Sequence, residues 1–256
     1  MIKAAFFDVD GTLLSHNSKS IPDSAKKALQ AMREKGIQLF LATGRGKSEI
    51  NRLPVKDLTF DGYVTLNGQI CLDSEKKLSY GIPLQGKSLE NVLDIFCKKE
   101  TPFILVEEER LYINFINDEV VEAQKDISTP LPQIREYEGD PVYMAIGFFT
   151  EDQTEAWENK LPDCTITRWN PKGVDIIAKG GSKAAGVARI AGMHGWDVSE
   201  IIAFGDGEND IEMMQYAGIG VAMGNAEEPV KAIADYVTTD IDQDGIWNAA
   251  KQYGLL

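Results

Sequence analysis

Two aspartates separated by a single residue, Asp8 and Asp10, lie near the start of the chain in FFDVDGTLL. Side chains at i and i+2 point to the same face of an extended segment, so both carboxylates can address one ligand. One carboxylate can attack phosphorus and form an aspartyl-phosphate, which splits a difficult hydrolysis into two steps. The other can protonate the leaving alkoxide and later take a proton from water. Gly11 and Thr12, directly behind, let the backbone turn tightly around a phosphoryl group. The same pair also suits a plain strand-ending turn, because Asp and Gly are common turn formers.

A second acidic cluster lies in AFGDGENDIEMM, where Asp206, Glu208, Asn209 and Asp210 crowd together. Neighbouring carboxylates repel one another unless a cation neutralises them. Mg²⁺ takes octahedral oxygen ligands, usually one or two carboxylates with water and a substrate phosphate. Asp206, close behind an apolar run, is the better ligand. Asp210, one helical turn on, binds the metal or orients a ligated water. An EF-hand calcium loop would need alternating acids and a terminal Glu, which are absent. Helix capping by Asp206 or Asn209 is the plain alternative.

Thr43, Gly44 and Arg45 follow another apolar run. A hydroxyl and backbone amides in such a turn can hold a phosphoryl oxygen, and Arg45 can meet a substrate phosphate or a nearby carboxylate. Lys183, in AKGGSKAAGV, can stabilise an aspartyl nucleophile and the transferred oxygens, with Lys179 as its rival. His16 and His194 are the only histidines and lie beside none of these clusters. A zinc hydrolase or a His-based triad would need more, and GxSxG, HExxH and Walker sequences are absent.

The elements that must carry these residues alternate. An apolar run at 3–7 ends at the Asp8 cluster, and Ser20, Pro22 and Asp23 start a helix that Gly36 stops. Strands follow at 37–42 and 62–66, the latter closed by the turn signal Asn67-Gly68. The rhythm returns with strands at 201–204, 219–222 and 236–238 and helices near 226–233 and 245–253. Such alternation predicts a parallel sheet with helices on its faces. The middle reads differently, with strand-like runs at 102–107, 111–116 and 142–149 and helices at 87–99 and near 151–160. It predicts an α+β insert hinged near Gly81–Pro83 and Lys179–Ser182.

The chain has 256 residues and a net charge of −14. That acidity argues against polyanionic partners, so neither nucleic acid nor an anionic membrane is expected. Cys71, Cys97 and Cys164 are odd in number and form no CxxC pair, which fits a reducing, cytoplasmic setting. The first residues, MIKAAFFDVDG, match neither a signal peptide nor a membrane span. Nothing in the sequence speaks to oligomeric state.

In order and spacing, DVDGT at 8–12, ATGR at 42–45, GGSK at 180–183 and GDGENDIEMM at 205–214 resemble the motifs of the haloacid dehalogenase superfamily. VTLNGQI at 64–70 and GIGVAMGNAEEPVKAIADYVTTDIDQDGI at 218–246 resemble its Cof-type branch, the class IIB sugar-phosphate phosphatases. The resemblance implies a doubly wound, mostly parallel α/β core over 1–81 and 180–256, with a C2-type cap over 82–179. It also implies Asp8 as nucleophile and metal ligand, and Asp10 as acid/base with its backbone carbonyl on Mg²⁺. Thr43 and Lys183 would hold the phosphoryl group, and Asp206 would complete the metal site, with Asp210 in support. Gly11, Thr12, Gly44, Arg45 and Asn209 would line the substrate phosphate. The implied substrate is a small phosphorylated metabolite, hexose or pentose phosphates first, with nucleotides, flavin mononucleotide and pyridoxal phosphate open. A phosphomutase and a non-catalytic phosphometabolite-binding protein are the alternatives. Asp10 argues against a dehalogenase, which needs no acid for an alkoxide leaving group.

Overall fold

The computed structural model describes residues 1–127 and 129–256. The described chain divides into two compact units, Met1–Tyr80 with Ser182–Leu256, and Gly81–Gly181.

The first unit begins with β1 (Ala4–Phe7), α1 (Asp23–Glu34), β2 (Gln38–Ala42), α2 (Lys47–Ile50), β3 (Gly62–Thr65), β4 (Ile70–Asp73) and β5 (Leu78–Gly81). In the second unit follow α3 (Gly86–Lys98), β6 (Phe103–Val106), β7 (Leu111–Ile113), α4 (Asp118–Asp126), β8 (Gln133–Ile134), β9 (Met144–Phe148), α5 (Thr154–Lys160), β10 (Cys164–Asn170) and β11 (Gly173–Ala178). The chain then returns to the first unit with α6 (Lys183–His194), β12 (Ile201–Gly205), α7 (Ile211–Tyr216), β13 (Ile219–Ala222), α8 (Glu228–Ile233), β14 (Tyr236–Val237) and α9 (Gly245–Gln252).

The sheet of the first unit runs β14-β13-β12-β1-β2-β3-β4-β5. Pairing is parallel from β14 through β3 and becomes antiparallel at β3–β4. Every residue of β1 is buried, as expected of a central parallel strand covered on both faces. Its aromatic rings stack on their in-register neighbours, Phe6 on Phe40 at 4.8 Å and Phe7 on Phe204 at 4.7 Å. Val187 and Ile190 of α6 and Met213 of α7 pack with Phe6 and Phe40 in one apolar cluster. The expected α/β alternation is therefore present, and its purpose is visible: it holds the ends of β1, β2 and β12 side by side.

The second unit is α+β, with strand order β10-β11-β9-β6-β7-β8. Val92, Ile95 and Phe96 of α3 and Trp157 of α5 pack on Phe103, Leu105, Ala145, Val174 and Ile176. Four of its elements, α4, β8, β10 and β11, have no counterpart in the sequence pattern, and β7 is shorter than its apolar run. The run at 111–116 stops as a strand at Ile113, because Asn114 turns its side chain inward: Oδ1 accepts from the Phe103 amide at 2.9 Å, while Nδ2 donates to Phe96 O at 3.1 Å. β10 carries polar and apolar residues that are all half-buried, and α4 buries only Val120, Ala123 and Gln124. Neither shows a strong apolar period of its own.

Candidate active site

Because β1 lies between β2 and β12 in parallel register, the residues that follow these strands emerge at one edge of the sheet. Asp8, Thr43 and Asp206 are those residues. Carboxyl ends of parallel strands are where open α/β sheets bind ligands.

Lys183 is the first residue of α6, behind the cap Ser182, whose Oγ accepts from the Ala185 amide at 3.3 Å. Its side chain is 0% exposed, and its ammonium donates to Asp8 Oδ1 and to Asp210 Oδ1, each at 2.6 Å. Asp210 Oδ2 accepts from the amides of Asp206 and Gly207, each at 3.0 Å. Asp210 therefore anchors its own loop while holding the lysine. Lys179 belongs to the other unit, with its ammonium 3.4 Å from Pro162 O.

Thr12 is buried and donates from Oγ1 to Asp206 Oδ1 at 2.7 Å. Gly11 has φ +86°, and a Cβ there would sit 2.1 Å from Asp206 Oδ2. Only glycine lets that loop and that carboxylate approach so closely.

Both oxygens of Asp10 are on Arg45, with Nε donating to Oδ2 at 2.6 Å and Nη2 to Oδ1 at 2.9 Å. Arg45 Nη1 also meets Glu49 Oε1 at 3.4 Å, and Glu49 Oε2 accepts from the Gly46 amide at 2.9 Å. Of the two partners foreseen for Arg45, this structure displays the carboxylate. Thr43 Oγ1 accepts from the Arg45 amide at 3.1 Å, and half-buried Gly44 sits between them. Asn209 donates from Nδ2 to Asn67 Oδ1 at 3.1 Å.

Three residues joined to this site received no role from the sequence. Glu49 shares Arg45, and Asn67 pairs with Asn209. Asn225 donates from Nδ2 to Gly11 O at 2.8 Å and accepts from the Ile241 amide at 3.0 Å. The last two sit in the family-like stretches 64–70 and 218–246, which was the only signal that could have flagged them.

Burial pushes the Asp8 carboxyl well above its ordinary range; Lys183 opposes the shift, while Asp210, Asp206 and Asp10 add to it. Asp206 is pushed up to about 7 by burial and by Asp210, with the Thr12 hydrogen bond pulling the other way. For Lys183, burial alone would lower the ammonium, but Asp210 and Asp8 outweigh it and leave the group raised. Burial likewise works against Arg45, and its bonds to Asp10 more than compensate.

Oxygens of Asp8, Asp206 and Asp210 lie within 4.8 Å of one another. These are hard donors at the spacing a small divalent cation requires, and the three carboxylates have one buried ammonium, Lys183, among them. The residues thus fit Mg²⁺. The Asp10 side chain stands outside this group, held by Arg45.

A family model for haloacid dehalogenase-like hydrolases matches residues 5–249. The chain belongs to the haloacid dehalogenase-like hydrolase family. It is 32% identical to YkrA of Bacillus subtilis (strain 168) over 257 residues, 99% of this chain and 98% of that one. The 5-amino-6-(5-phospho-D-ribitylamino)uracil phosphatase YcsE of the same organism is 28% identical over 259 residues, 99% of this chain and 96% of its own. The HAD subclass IIB sugar phosphatase BT4131 superposes with a TM-score of 0.88 at 37% identity, covering 99% of this chain and 100% of that one. With this family and these relatives, the enzyme is a phosphatase. Among the described residues, no helix is long and apolar enough to cross a membrane.

Proposed function

We propose that this phosphatase hydrolyses small phosphate monoesters, sugar phosphates first among them, through an aspartyl-phosphate on Asp8 and with Mg²⁺. The observation that carries the reading is the buried Lys183 ammonium, shared between Asp8 and Asp210, beside Asp206. A buried cation holds one oxygen of Asp8, which orients the other toward an incoming phosphorus. Asp8 attacks, the bond from phosphorus to the leaving oxygen breaks, and Asp10 delivers a proton to that alkoxide. In the second step Asp10 takes a proton from water as the water oxygen bonds to phosphorus. Asp8 then leaves and inorganic phosphate is released.

In this reading Asp10 moves its proton while Arg45 holds or frees one of its oxygens, and Glu49 is placed to hold the guanidinium. Thr43, Gly44 and Asn209 supply donors for phosphoryl oxygens, and Gly11 and Thr12 shape the loop against Asp206. Asp8, Asp206 and Asp210, with the backbone carbonyl of Asp10, are the residues that would hold Mg²⁺, which neutralises charge on the phosphoryl oxygens. Met1–Tyr80 with Ser182–Leu256 is the catalytic core in this reading, and Gly81–Gly181 is the C2-type cap. The odd, free cysteines support a cytoplasmic placement.

The sugar-phosphate preference rests on resemblance to BT4131, and YcsE extends it to a phosphorylated sugar alcohol chain. A panel of phosphate esters assayed with Mg²⁺ and with chelator tests the whole reading. Release should require Mg²⁺, and Asp8→Asn and Asp10→Asn should abolish it without unfolding the protein. An Asp8→Asn enzyme with near-normal turnover would remove Asp8 as the nucleophile.

A further inference from the structure

Three consecutive residues after β3 have left-handed backbone: Leu66 at φ +51°, Asn67 at +51° and Gly68 at +90°. That conformation is costly for leucine, tolerated by asparagine and free for glycine. Strain of this kind persists only where the surroundings enforce it, and it gathers at functional sites.

The surroundings here are the site itself. The Leu66 amide donates to Arg45 O at 3.3 Å, and the Asn67 amide donates to Thr43 O at 3.1 Å. Asn67 Oδ1 accepts from Asn209 at 3.1 Å. A Cβ on Gly68 would lie 2.0 Å from the carbonyl oxygen of Ser182, the residue that precedes Lys183. One short turn therefore touches the loops that carry Thr43 and Arg45, Lys183, and Asn209. These loops are far apart in sequence and share no strand.

We infer that Asn67 is a positioning residue for phosphoryl transfer: its left-handed backbone seats Thr43 while its buried amide fixes Asn209. Asn67 is 4% exposed, so the side-chain oxygen that accepts from Asn209 is closed off from bulk solvent. Asparagine is the residue type that both accepts the backbone conformation and presents an oxygen to Asn209. The inference rests on the phosphatase reading for its rate measurements.

A double-mutant cycle separates positioning from mere support. Asn67→Gly keeps the left-handed backbone and the amide bond to Thr43 but deletes the contact with Asn209. It should lower kcat about tenfold or more, with KM within about threefold of wild type. Asn209→Ala should cost a similar factor, and the double variant should be no worse than about threefold below the poorer single variant. Multiplying losses would overturn the inference, as would wild-type kcat in Asn67→Gly. If Asn67→Gly does not fold, Asn67→Asp carries the test. It keeps the turn and the acceptor but adds a charge, so the coupling is read as a ratio: Asn209→Ala made on top of Asn67→Asp should lower kcat by as large a factor as it does in wild type, and no further loss refutes the role. Wild-type turnover is measured alongside; its absence would count against the phosphatase reading and not against Asn67.

Discussion

Replacing Lys183 by methionine keeps a long side chain in place but removes the buried ammonium. Asp8 and Asp210 then face each other and Asp206 without it. Removing one partner of a buried ion pair costs about 3–5 kcal/mol. The two contacts share one ammonium, so the figure is not doubled. For a chain of this size each kcal/mol is worth about 2–4 °C, which sets a fall in Tm of roughly 6–20 °C in metal-free buffer near neutral pH. Part of that loss should return on acidification, because the orphaned carboxylates can take up protons. Mg²⁺ should raise the Tm of the variant more than that of wild type, since the ion supplies charge the lysine no longer provides. Phosphate release should fall about 10²–10³-fold even where the variant is fully folded. Thermal melts by circular dichroism, with chelator and with Mg²⁺, together with a phosphate-release assay, read all of this. A Lys183→Met protein that melts within about 2 °C of wild type and turns over normally would refute the electrostatic account of the site.

Two further expectations concern the acidic edge. Asp206 has an ordinary value of 3.8 and is pushed up to about 7, so between those limits the folded protein holds a proton that the unfolded chain has lost. The contribution of Asp206 to metal-free stability should therefore be greatest at the acid end of that window and decline as pH rises toward about 7, so wild type should lose stability relative to Asp206→Asn across it; parallel pH profiles of the two would contradict the assignment. Mg²⁺ requires the deprotonated carboxylate, so the Tm gain from added Mg²⁺ should grow over the same range. Gly11→Ala should cost about 1–3 kcal/mol in stability, from the left-handed backbone alone. It should also abolish the Tm gain from Mg²⁺, because the new methyl group displaces Asp206; an intact Mg²⁺ response would show that the close approach is dispensable.

Local sequence determined a good deal here. The AAFF run is apolar on both faces and short, which suits a buried strand, and DVDG follows at its carboxyl end. The alternation of such runs with amphipathic segments prescribed a parallel sheet, and the order of the clusters around Asp8, Thr43, Lys183 and Asp206 carried the family and its chemistry. The insert was legible as α+β but not strand by strand, since β10 and α4 each bury only part of a weakly patterned surface.

What only the tertiary structure decided is who holds whom. Lys183 reaches Asp8 across 175 positions of sequence, Arg45 reaches Asp10 across 35, and Asn209 reaches Asn67 across 142. Local propensity encodes nothing about such pairings. They exist because strand order places β1 between β2 and β12, with the start of α6 packed beside them. The sequence thus named Asp8 and Asp10 as a pair with one ligand in common. The fold gave the two different partners, one oxygen of Asp8 on a buried lysine and both oxygens of Asp10 on an arginine.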